Sequence, residues 1–280
     1  MLASALLLST VLSQSNSAMK DLVFEPAPIF SIAPAAASQK QTTGDERFRV
    51  LSYNIRHCAG TDDRLDLART AKAIGDLRPD FVGLQEVDQS AKRSGGVNQP
   101  QALGRSLSMN AAFGSFMDYD GGQYGLAVMS RFPIKSARAI RLPDGNEPRV
   151  ALLAEALLPS GRVVTVVNVH FDWVDDDGFR FAQASRLASA LGQLTTPYIL
   201  LGDFNDQPGS RTIKLFQRMA VEAKKPASNR LTFSSITPEV EIDFIFAAPS
   251  NAWKVGAAKV IDLPQVSDHR PVLAELVLKR

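Results

Sequence analysis

The chain has 280 residues, 45% of them hydrophobic, and a formal net charge of only +2 at pH 7. This length and apolar content suffice for one large core or two smaller ones. The small net charge, with no run of clustered Lys or Arg, argues against a dedicated nucleic-acid-binding module, although it permits an anionic substrate. The single cysteine, Cys58, excludes an internal disulfide and a cysteine-based zinc site, and we interpret it as an incidental small residue in a loop.

The first part of the chain has features of an export signal. An apolar run at residues 2–12 has the length of a signal-peptide core and is too short to span a bilayer, but no basic residue precedes it. A second candidate start at Met19 leads to an alanine triplet at residues 35–37 that resembles a processing site. We predict that residues 1–46 are a signal or disordered segment and that residues 47–280 form one domain. Export to the periplasm or the medium is favoured, and a cytoplasmic protein with a disordered tail is the alternative.

Eleven elements are predicted in this domain from the spacing of its apolar residues. In chain order they are a strand at 47–53, a helix at 64–77, a strand at 81–85, a helix at 101–107, strands at 124–130, 150–158 and 162–169, a helix at 178–194, and strands at 198–201, 241–247 and 271–278. Asp63 can cap the first helix and Pro79 stops it. Pro159-Ser160-Gly161 predicts a hairpin turn, so the strands beside it are antiparallel. This favours two packed sheets with helices outside over a doubly wound parallel sheet.

Polar side chains recur where the predicted strands begin or end. The six segments are Tyr53-Asn54-Ile55-Arg56, Gln85-Glu86-Val87, Asn168-Val169-His170-Phe171, Gly202-Asp203-Phe204-Asn205, Ile242-Asp243-Phe244-Ile245 and Ser267-Asp268-His269-Arg270. Carboxylate and amide oxygens are ligands that Mg²⁺ and Mn²⁺ prefer, and a histidine can transfer protons near neutral pH. Phosphodiester hydrolysis needs a positioned water, charge compensation on the phosphoryl oxygens and help for the leaving oxygen. Such a set of side chains could supply all three.

Each segment has a structural alternative when it is taken alone. Glu86 could be an acid near a helix start, Asp203 and Asn205 could form an Asx turn, and His170 could be a core histidine. Asp243 is harder to explain in this way, because a charge inside an apolar strand must be paired or must face a polar site.

Several other polar residues have weaker signals. Arg56, Arg93 and Arg149 are candidate phosphate contacts, with ordinary surface arginines as the alternative. His57 lies near Asn54 only in sequence, and we interpret it as a loop or rim residue. The three aspartates at residues 175–177 are interpreted as a solvated turn and helix start, with a second metal site as the alternative.

Together and in this order, the six segments resemble the endonuclease/exonuclease/phosphatase superfamily, which includes deoxyribonuclease I, abasic-site endonucleases, neutral sphingomyelinases and inositol-polyphosphate 5-phosphatases. The resemblance runs from about Phe48 to Leu278 and is nearest to the compact bacterial members, described generally as metal-dependent hydrolases. It implies a four-layer α/β/β/α sandwich of two packed mixed sheets, as in deoxyribonuclease I, with the site at one end of both sheets. Leu126 departs from the pattern, since a polar residue is common at its position.

The resemblance implies a Mg²⁺ site, with Mn²⁺ as the alternative ion. Glu86 would be the principal ligand, Asn54 would lie beside the metal and the phosphate, and Asp268 would lie near the metal and the attacking water. A Mg²⁺ ion typically takes only one or two carboxylates together with waters and substrate phosphate. The remaining acids of the set are therefore expected to orient water or histidines.

Catalytic roles are implied for the other residues of the pattern. Asp203 and Asn205 would hold the attacking water and the phosphate. His269 would act as a base or phosphate contact oriented by Asp243. His170 would bind phosphate and assist charge development. Abasic-site endonucleases generally have another residue type at that position, so His170 favours the deoxyribonuclease and sphingomyelinase branches.

The sequence therefore predicts a Mg²⁺-dependent phosphoesterase that hydrolyses a phosphodiester by in-line attack of water, without a covalent intermediate. The substrate would be a nucleic acid, a nucleotide derivative or a lipid head group, and membrane contact would be transient and limited to a lipid substrate. No obligate protein partner is indicated. A phosphomonoesterase acting on inositol-phosphate-type substrates and a non-catalytic phosphate-binding module are the alternatives.

Overall fold

The structure, a computed structural model, describes residues 23–32 and 44–280, which form strands and four α-helices. In chain order the strands are β1 (Phe24–Pro26), β2 (Ile29–Phe30), β3 (Glu46–Asn54), β4 (Phe81–Gln89), β5 (Asn110–Tyr119), β6 (Gly122–Ser130), β7 (Ile134–Arg141), β8 (Val150–Leu157), β9 (Val163–His170), β10 (Tyr198–Asp203), β11 (Val221–Glu222), β12 (Asp243–Ala248), β13 (Trp253–Val260) and β14 (Val272–Leu278). The α-helices are α1 (Leu67–Asp76), α2 (Gln99–Leu107), α3 (Gly178–Leu191) and α4 (Arg211–Gln217).

The strands form two seven-stranded mixed sheets. The first sheet has the order β1-β7-β8-β9-β10-β12-β11, and the second has the order β13-β14-β3-β4-β6-β5-β2. Each sheet contains one parallel pair, β9 with β10 in the first and β3 with β4 in the second. A parallel pair needs a crossover connection, and α3 and α1 provide the two crossovers. The β8–β9 pair is antiparallel, as the predicted hairpin required.

The sheets pack face to face, and the helices cover their outer faces. Neighbouring residues of one strand show the arrangement: Val50 lies in the core between the sheets, whereas Leu51 lies in the core under α1 and α2. In the same way Val166 faces the second sheet and Val167 packs under α3 and α4. Central strands are therefore buried on both faces, which explains their continuous apolar runs. The fold is the four-layer α/β/β/α sandwich that the sequence predicted.

Helix α1 begins at Leu67, three residues after the start of the predicted helix. Its cap is Asp66, whose side chain accepts a hydrogen bond from the Arg69 backbone N–H at 2.8 Å. Asp63, the predicted cap, has a φ of 55° and lies 3.0 Å from the Arg56 guanidinium. A helix N-cap has extended rather than left-handed backbone geometry, so Asp63 is excluded from that position.

Several elements have no clear local signal and were not predicted. They are β5, β7, β11, β13 and α4. Strand β5 is interrupted by Gly114 and Ser115, and β13 by Gly256, residues that weaken a strand pattern. Pairing with β6, β8, β12 and β14 forms these strands, so neighbouring strands override weak local propensity.

Residues 23–32 belong to the fold, which corrects the predicted domain boundary at residue 47. Strand β1 pairs with β7 at the edge of the first sheet, and β2 pairs with β5 at the edge of the second. The Arg138 guanidinium lies 4.5 Å from the Phe24 ring centroid. The Pro-rich composition hid two short strands, and an edge strand is where a sheet tolerates a residue such as Pro26. The predicted signal core and its candidate processing points lie outside the described residues.

Helix length also bears on membrane insertion. Within residues 23–32 and 44–280, no helix is long and apolar enough to cross a membrane.

Candidate active site

Strand register brings the predicted polar residues to one end of both sheets. In the first sheet, Asp203 at the end of β10 pairs with His170 at the end of β9 and with Asp243 at the start of β12. In the second sheet, Asn54 ends β3 beside Gln85 of β4. Because β12 is antiparallel to β10, the first residue of one strand meets the last residue of the other. These side chains therefore share one edge of the sandwich.

The segment before β14 reaches the same edge. Strand β14 runs antiparallel to β3, so the residues that precede it lie beside the end of β3. The Ser267 hydroxyl lies 2.7 Å from the backbone oxygen of Asn54 and 3.2 Å from Oδ1 of Asp268, so it can bridge the two. Asp268 and His269 are thus fixed against the end of β3.

A bulge in β4 presents Glu86 to the site. The pairing of β4 with β6 changes register between Leu84 and Val87. Glu86 has a φ of 56°, a left-handed conformation that is uncommon for residues other than glycine. Bulges re-aim side chains and are frequent beside active sites. Here the bulge turns the Glu86 carboxylate toward the cavity that holds the other polar residues.

Asn168 supports this bulge from the opposite sheet. Its Nδ2 donates to the backbone oxygens of Leu84 at 2.8 Å and Ala127 at 2.9 Å, and its Oδ1 accepts from Nε2 of Gln85 at 2.7 Å. The sheets approach closely here, since a Cβ on Gly83 would lie 1.8 Å from a Leu201 methyl carbon. Asn168 lies in one of the six segments but was not predicted as a site residue. Its role becomes visible only when the second sheet is in place.

Nitrogen atoms of three other site residues lie close to Oδ2 of Asp203. It lies 3.2 Å from Nδ2 of Asn54, 3.5 Å from Nε2 of His170 and 3.6 Å from Nε2 of His269. Its Oδ1 accepts the backbone N–H of Asn205 at 2.9 Å. Burial raises the pKa of Asp203 to about 7, and the facing His269 limits the rise. A carboxylate with a pKa near neutrality can accept a proton from water during catalysis.

His269 forms a charged pair with Asp243. Its Nδ1 lies 3.1 Å from Oδ2 of Asp243, which is buried at the start of β12. Burial alone would lower the pKa of His269, but the charges of Asp243 and Asp203 outweigh burial and raise the pKa to about 10. The Phe233 ring packs against the imidazole with 4.9 Å between centroids. His269 is therefore cationic at neutral pH in this arrangement.

His170 has the opposite environment. Nη1 of Arg149 lies 3.3 Å from its Nδ1, and Nη2 of Arg149 donates to Oε2 of Glu147 at 2.9 Å. Burial, with the Arg149 cation acting in the same direction, holds the pKa of His170 well below its usual range. The two site histidines thus differ in charge although both direct Nε2 at the same carboxylate oxygen.

Glu86 and Asp268 are the carboxylates best placed to hold a divalent cation. Both line the cavity. Burial raises the pKa of Glu86, a hydrogen bond from Asn54 opposes this, and the negative charge of Asp268 adds to the rise. A hard cation near two like-charged carboxylates would relieve this repulsion, and oxygen donors match Mg²⁺ chemistry. The residues present therefore fit the predicted ion.

Asn54, predicted to lie beside the metal ion, contacts two carboxylates of the site. Its Nδ2 donates to Oε1 of Glu86 at 2.9 Å and to Oδ2 of Asp203 at 3.2 Å, while its Oδ1 accepts the Arg56 backbone N–H at 3.1 Å. These hydrogen bonds hold both carboxylates in place, and the metal role of Asn54 stays a prediction.

Asp203, Asp243 and His269 also place one possible ligand atom each within 4.8 Å of one another. The His269–Asp243 pair already joins two of these side chains by a hydrogen bond. A protonated imidazole repels a cation, so this group is better suited to proton handling than to metal binding.

Of the three candidate phosphate-binding arginines, Arg149 lines the cavity and the other two bind elsewhere. Arg93 donates from Nε and Nη2 to the buried Asp88, each at 2.8 Å. Arg56 donates to a loop carbonyl and pairs with Asp63. The sequence could not separate these roles, because the partners of each guanidinium come from loops whose path is set by tertiary packing.

The site opens into a cavity of about 750 Å³. Side chains that line it but were not predicted as site residues include Tyr124, Glu147, Trp173, Arg180, Asp206 and Phe233. Trp173 is 58% exposed. Trp173 lies three residues after His170, and Glu147 lies two residues before Arg149. Closeness in sequence to a predicted residue is the one feature that could have indicated these two side chains. Phe233 has no such signal, because it lies in a long loop before β12.

Arg180 is the clearest of the missed residues. It is buried in the first turn of α3, and its Nη1 donates to the backbone oxygens of Asp172 at 3.1 Å and Val174 at 2.8 Å. Its Nε lies 3.4 Å from Oδ2 of Asp206. Arg180 thereby ties the loop after β9 to the loop after β10, and this sets one wall of the cavity.

Of the remaining candidates, Asp175 lines the cavity, and Cys58, His57 and Leu126 lie apart from it. Cys58 is buried, and burial raises the pKa of its thiol to about 12, which suits the structural interpretation. His57 does not line the cavity. Leu126 is buried between the sheets, which explains an apolar residue at that position. Of the three aspartates, Asp177 pairs with Arg211 at 2.6 Å.

Known proteins of similar sequence and structure agree with this geometry. The chain is 28% identical over 248 residues to the uncharacterized protein YbhP of Escherichia coli strain K12, covering 82% of this chain and 96% of YbhP. An endonuclease/exonuclease/phosphatase from Beutenbergia cavernae has a TM-score of 0.69 at 24% identity, over 83% of this chain and 72% of that one. The mannosyl-6-phosphatase Bt3783 of Bacteroides thetaiotaomicron has a TM-score of 0.66 at 22% identity, over 82% and 99% of the two chains. At such identities the structural matches show the fold alone.

One family accounts for both the fold and the site. The family model described as "Endonuclease/Exonuclease/phosphatase family" matches residues 51–269, most of the chain and all the polar segments from β3 to β14. Enzymes of this family are typically hydrolases of phosphate esters and usually depend on a divalent metal ion. The chain belongs to the endonuclease/exonuclease/phosphatase family.

Proposed function

We propose that the protein is a Mg²⁺-dependent hydrolase that cleaves a phosphodiester by in-line attack of water, without a covalent enzyme intermediate. The observation that supports this most directly is the convergence on Asp203. Its Oδ2 lies within 3.6 Å of three nitrogens, from Asn54, His170 and His269, at the base of an open cavity. Among the described residues that line the cavity there is no serine, cysteine or lysine, and we propose water as the nucleophile.

Asp203 is the proposed proton acceptor. The oxygen of water would form the new bond to phosphorus, the bond to the leaving oxygen would break, and the proton of water would pass to the Asp203 carboxylate. A pKa of about 7 suits this role, because the carboxylate is then partly ionised at neutral pH yet basic enough to take the proton. The leaving oxygen would take its proton from solvent, to which the cavity is open.

Charge on the phosphate would be balanced from two directions. The His269 cation, held by Asp243, supplies positive charge on the side of the first sheet. Glu86 and Asp268 would hold Mg²⁺, which supplies Lewis-acid stabilisation of the phosphoryl oxygens when bound. Asn54 keeps the Glu86 carboxylate in position through its 2.9 Å hydrogen bond.

A phosphomonoesterase is the second candidate. The observation in its favour is the structural likeness to the mannosyl-6-phosphatase Bt3783, whose name describes a phosphatase that acts on a sugar phosphate. On this alternative the same residues would act, and the substrate would be a sugar or inositol phosphate.

The test compares the full chain with the variant Glu86→Gln, in the presence of Mg²⁺, Mn²⁺ or EDTA. Substrates are bis-p-nitrophenyl phosphate, p-nitrophenyl phosphate, plasmid DNA, RNA and sphingomyelin. We expect metal-dependent hydrolysis of the diester, reduced by about 10²-fold or more in the variant, because the principal metal-binding carboxylate is lost. Glu155→Gln, on β8 and outside the cavity lining, is the matched control and should retain activity.

The other outcomes separate the candidates. Hydrolysis of the monoester alone would select the phosphomonoesterase. Phosphate-ester binding with no turnover under any metal would contradict both proposals and leave a non-catalytic binding module. Activity that persists in EDTA and in Glu86→Gln would refute the role given to the metal site.

A further inference from the structure

The partner of His170 is an arginine, and this decides which ring nitrogen carries the proton. Nη1 of Arg149 lies 3.3 Å from Nδ1 of His170. A guanidinium has only donors and stays protonated in proteins. Nδ1 must therefore accept this hydrogen bond with its lone pair. The ring proton is left on Nε2, the nitrogen that lies 3.5 Å from Oδ2 of Asp203.

Arg149 is held tightly enough to impose this choice. It is 1% exposed, its Nη2 donates to Oε2 of Glu147 at 2.9 Å, and its guanidinium carbon lies 4.9 Å from the Phe116 ring centroid. The same phenylalanine packs edge-on against His170, with 6.1 Å between ring centroids. Both side chains are thus confined by one aromatic ring, and Glu147 fixes the direction of the guanidinium.

We propose that Arg149 is a positioning residue that locks His170 as the neutral imidazole with its proton on Nε2. His170 is then a fixed hydrogen-bond donor aimed at the reaction centre, and neither a base nor a cation. This rests on the proposed function, in which the donor would contact a phosphoryl oxygen of the substrate. It also replaces the direct phosphate contact that the sequence suggested for Arg149.

The contrast with His269 strengthens the assignment. Both imidazoles direct Nε2 at the same oxygen of Asp203, at 3.5 and 3.6 Å. They differ in what faces Nδ1, which is a carboxylate for His269 and a guanidinium for His170. A carboxylate partner keeps Nδ1 protonated, whereas a guanidinium keeps it unprotonated. The two histidines therefore differ in the hydrogen bond that fixes Nδ1, and this difference is given by geometry alone.

The experiment measures the tautomer directly. The chain has only three histidines, so long-range ¹H–¹⁵N spectra of the full chain labelled with ¹⁵N-histidine contain three imidazole systems, which H57Q, H170Q and H269Q assign. In the metal-free wild type at neutral pH we expect an unprotonated Nδ1 and a protonated Nε2 for His170. His269 should have a protonated Nδ1. These spectra need no substrate, so the result stands whether or not the proposed reaction is observed.

Three variants test the role of Arg149. R149M removes the donor and should mix or reverse the His170 tautomer, with kcat lowered by about 10²-fold and a smaller change in KM. R149K keeps a donor and should retain the tautomer and part of kcat. E147Q keeps the arginine and should also retain the tautomer, which makes it the matched control.

Two results would overturn the proposal. One is a wild-type His170 that is protonated on Nδ1, as the other tautomer or as a cation. The other is an unchanged tautomer in R149M with only KM raised, which would make Arg149 a direct phosphate contact. If R149M does not fold, the wild-type spectrum still tests the proposal, because a proton on Nδ1 of His170 would overturn it.

Discussion

At the scale of single residues, the partners of each side chain decide its chemistry. Nε2 of His170 and Nε2 of His269 each lie within 3.6 Å of Oδ2 of Asp203, yet the two histidines differ in charge. Burial disfavours charge on both imidazoles. At His269 the charges of Asp243 and Asp203 outweigh burial, whereas at His170 the Arg149 cation adds to it. A sequence shows that histidines and acids are present, but it does not show which of them face each other.

This arrangement predicts how stability depends on pH. The pKa of His269 is raised from about 6.5 in the unfolded chain to about 10 in the folded protein. Its stabilisation is complete below pH 6.5 and is lost as pH rises toward 10, because only the folded state still binds the proton there. We expect the free energy of unfolding of the metal-free protein to fall between pH 7.5 and 10, by at most about 1.4 kcal/mol per pH unit for this proton.

Urea unfolding in EDTA across that range measures the effect. The control is His269→Asn, in which the fall between pH 7.5 and 10 should be shallower, since the group that titrates in this range is gone. Equal slopes in the two proteins would show that His269 is not cationic in the folded state.

At the scale of elements, the fold depends on strands with little local signal. Strands β1 and β2 come from a Pro-rich segment and pair with β7 and β5. Both strands come from one short stretch of chain, residues 24–30, and each adds a strand at the edge of one sheet. Edge strands cover backbone groups that would otherwise be open to pairing with other chains.

Removing this piece should destabilise the protein. We expect a chain that begins at residue 44, which keeps all of β3, to unfold at a lower temperature than one that begins at residue 23, by an amount equivalent to about 1–3 kcal/mol. The loss combines the pairing of two edge strands with the partial burial of Ile29 and Phe30. Thermal unfolding followed by circular dichroism compares the two. Identical melting temperatures would mean that residues 23–32 contribute nothing to the folded state.

At the scale of the whole molecule, the site depends on contact between the two sheets. Glu86 belongs to the second sheet and Asp203 to the first, and Asn168 connects the sheets directly beneath them. The buried Asn168 amide donates hydrogen bonds to two backbone oxygens and accepts one from the Gln85 side chain. An unsatisfied buried polar group costs about 1–3 kcal/mol, so this residue affects both stability and the position of Glu86.

Asn168→Ala should therefore lower the free energy of unfolding by about 2–4 kcal/mol and also reduce activity, because the bulge that presents Glu86 loses its support. Urea unfolding and steady-state kinetics measure the two effects. Asn229→Ala is the control, since Asn229 is exposed and makes one loop hydrogen bond, to Val260 at 2.9 Å. A loss no larger than in this control would contradict the supporting role of Asn168.

The sequence by itself determined the layer architecture and most of the site. Continuous apolar runs such as residues 198–201 indicate strands buried on both faces, and polar residues placed at strand ends must meet where those ends meet. The spacing of apolar residues and the direction of the chain are local properties of the sequence, so they can be determined without coordinates. Placement at strand ends, together with the resemblance of the six segments to the family, is why Glu86, His170, Asp203, Asp243 and His269 could be predicted as site residues.

Tertiary structure alone decided the partners of the arginines. It placed Arg149 beside His170 and engaged Arg93 with Asp88, away from the cavity, whereas the family resemblance already implied that Asp243 orients His269. It also added residues 23–32 to the sheets and Asn168 to the support of Glu86. These contacts join residues far apart in the chain, across two sheets. Their energies depend on burial and on the distance between charges, and neither quantity exists until the sheets pack.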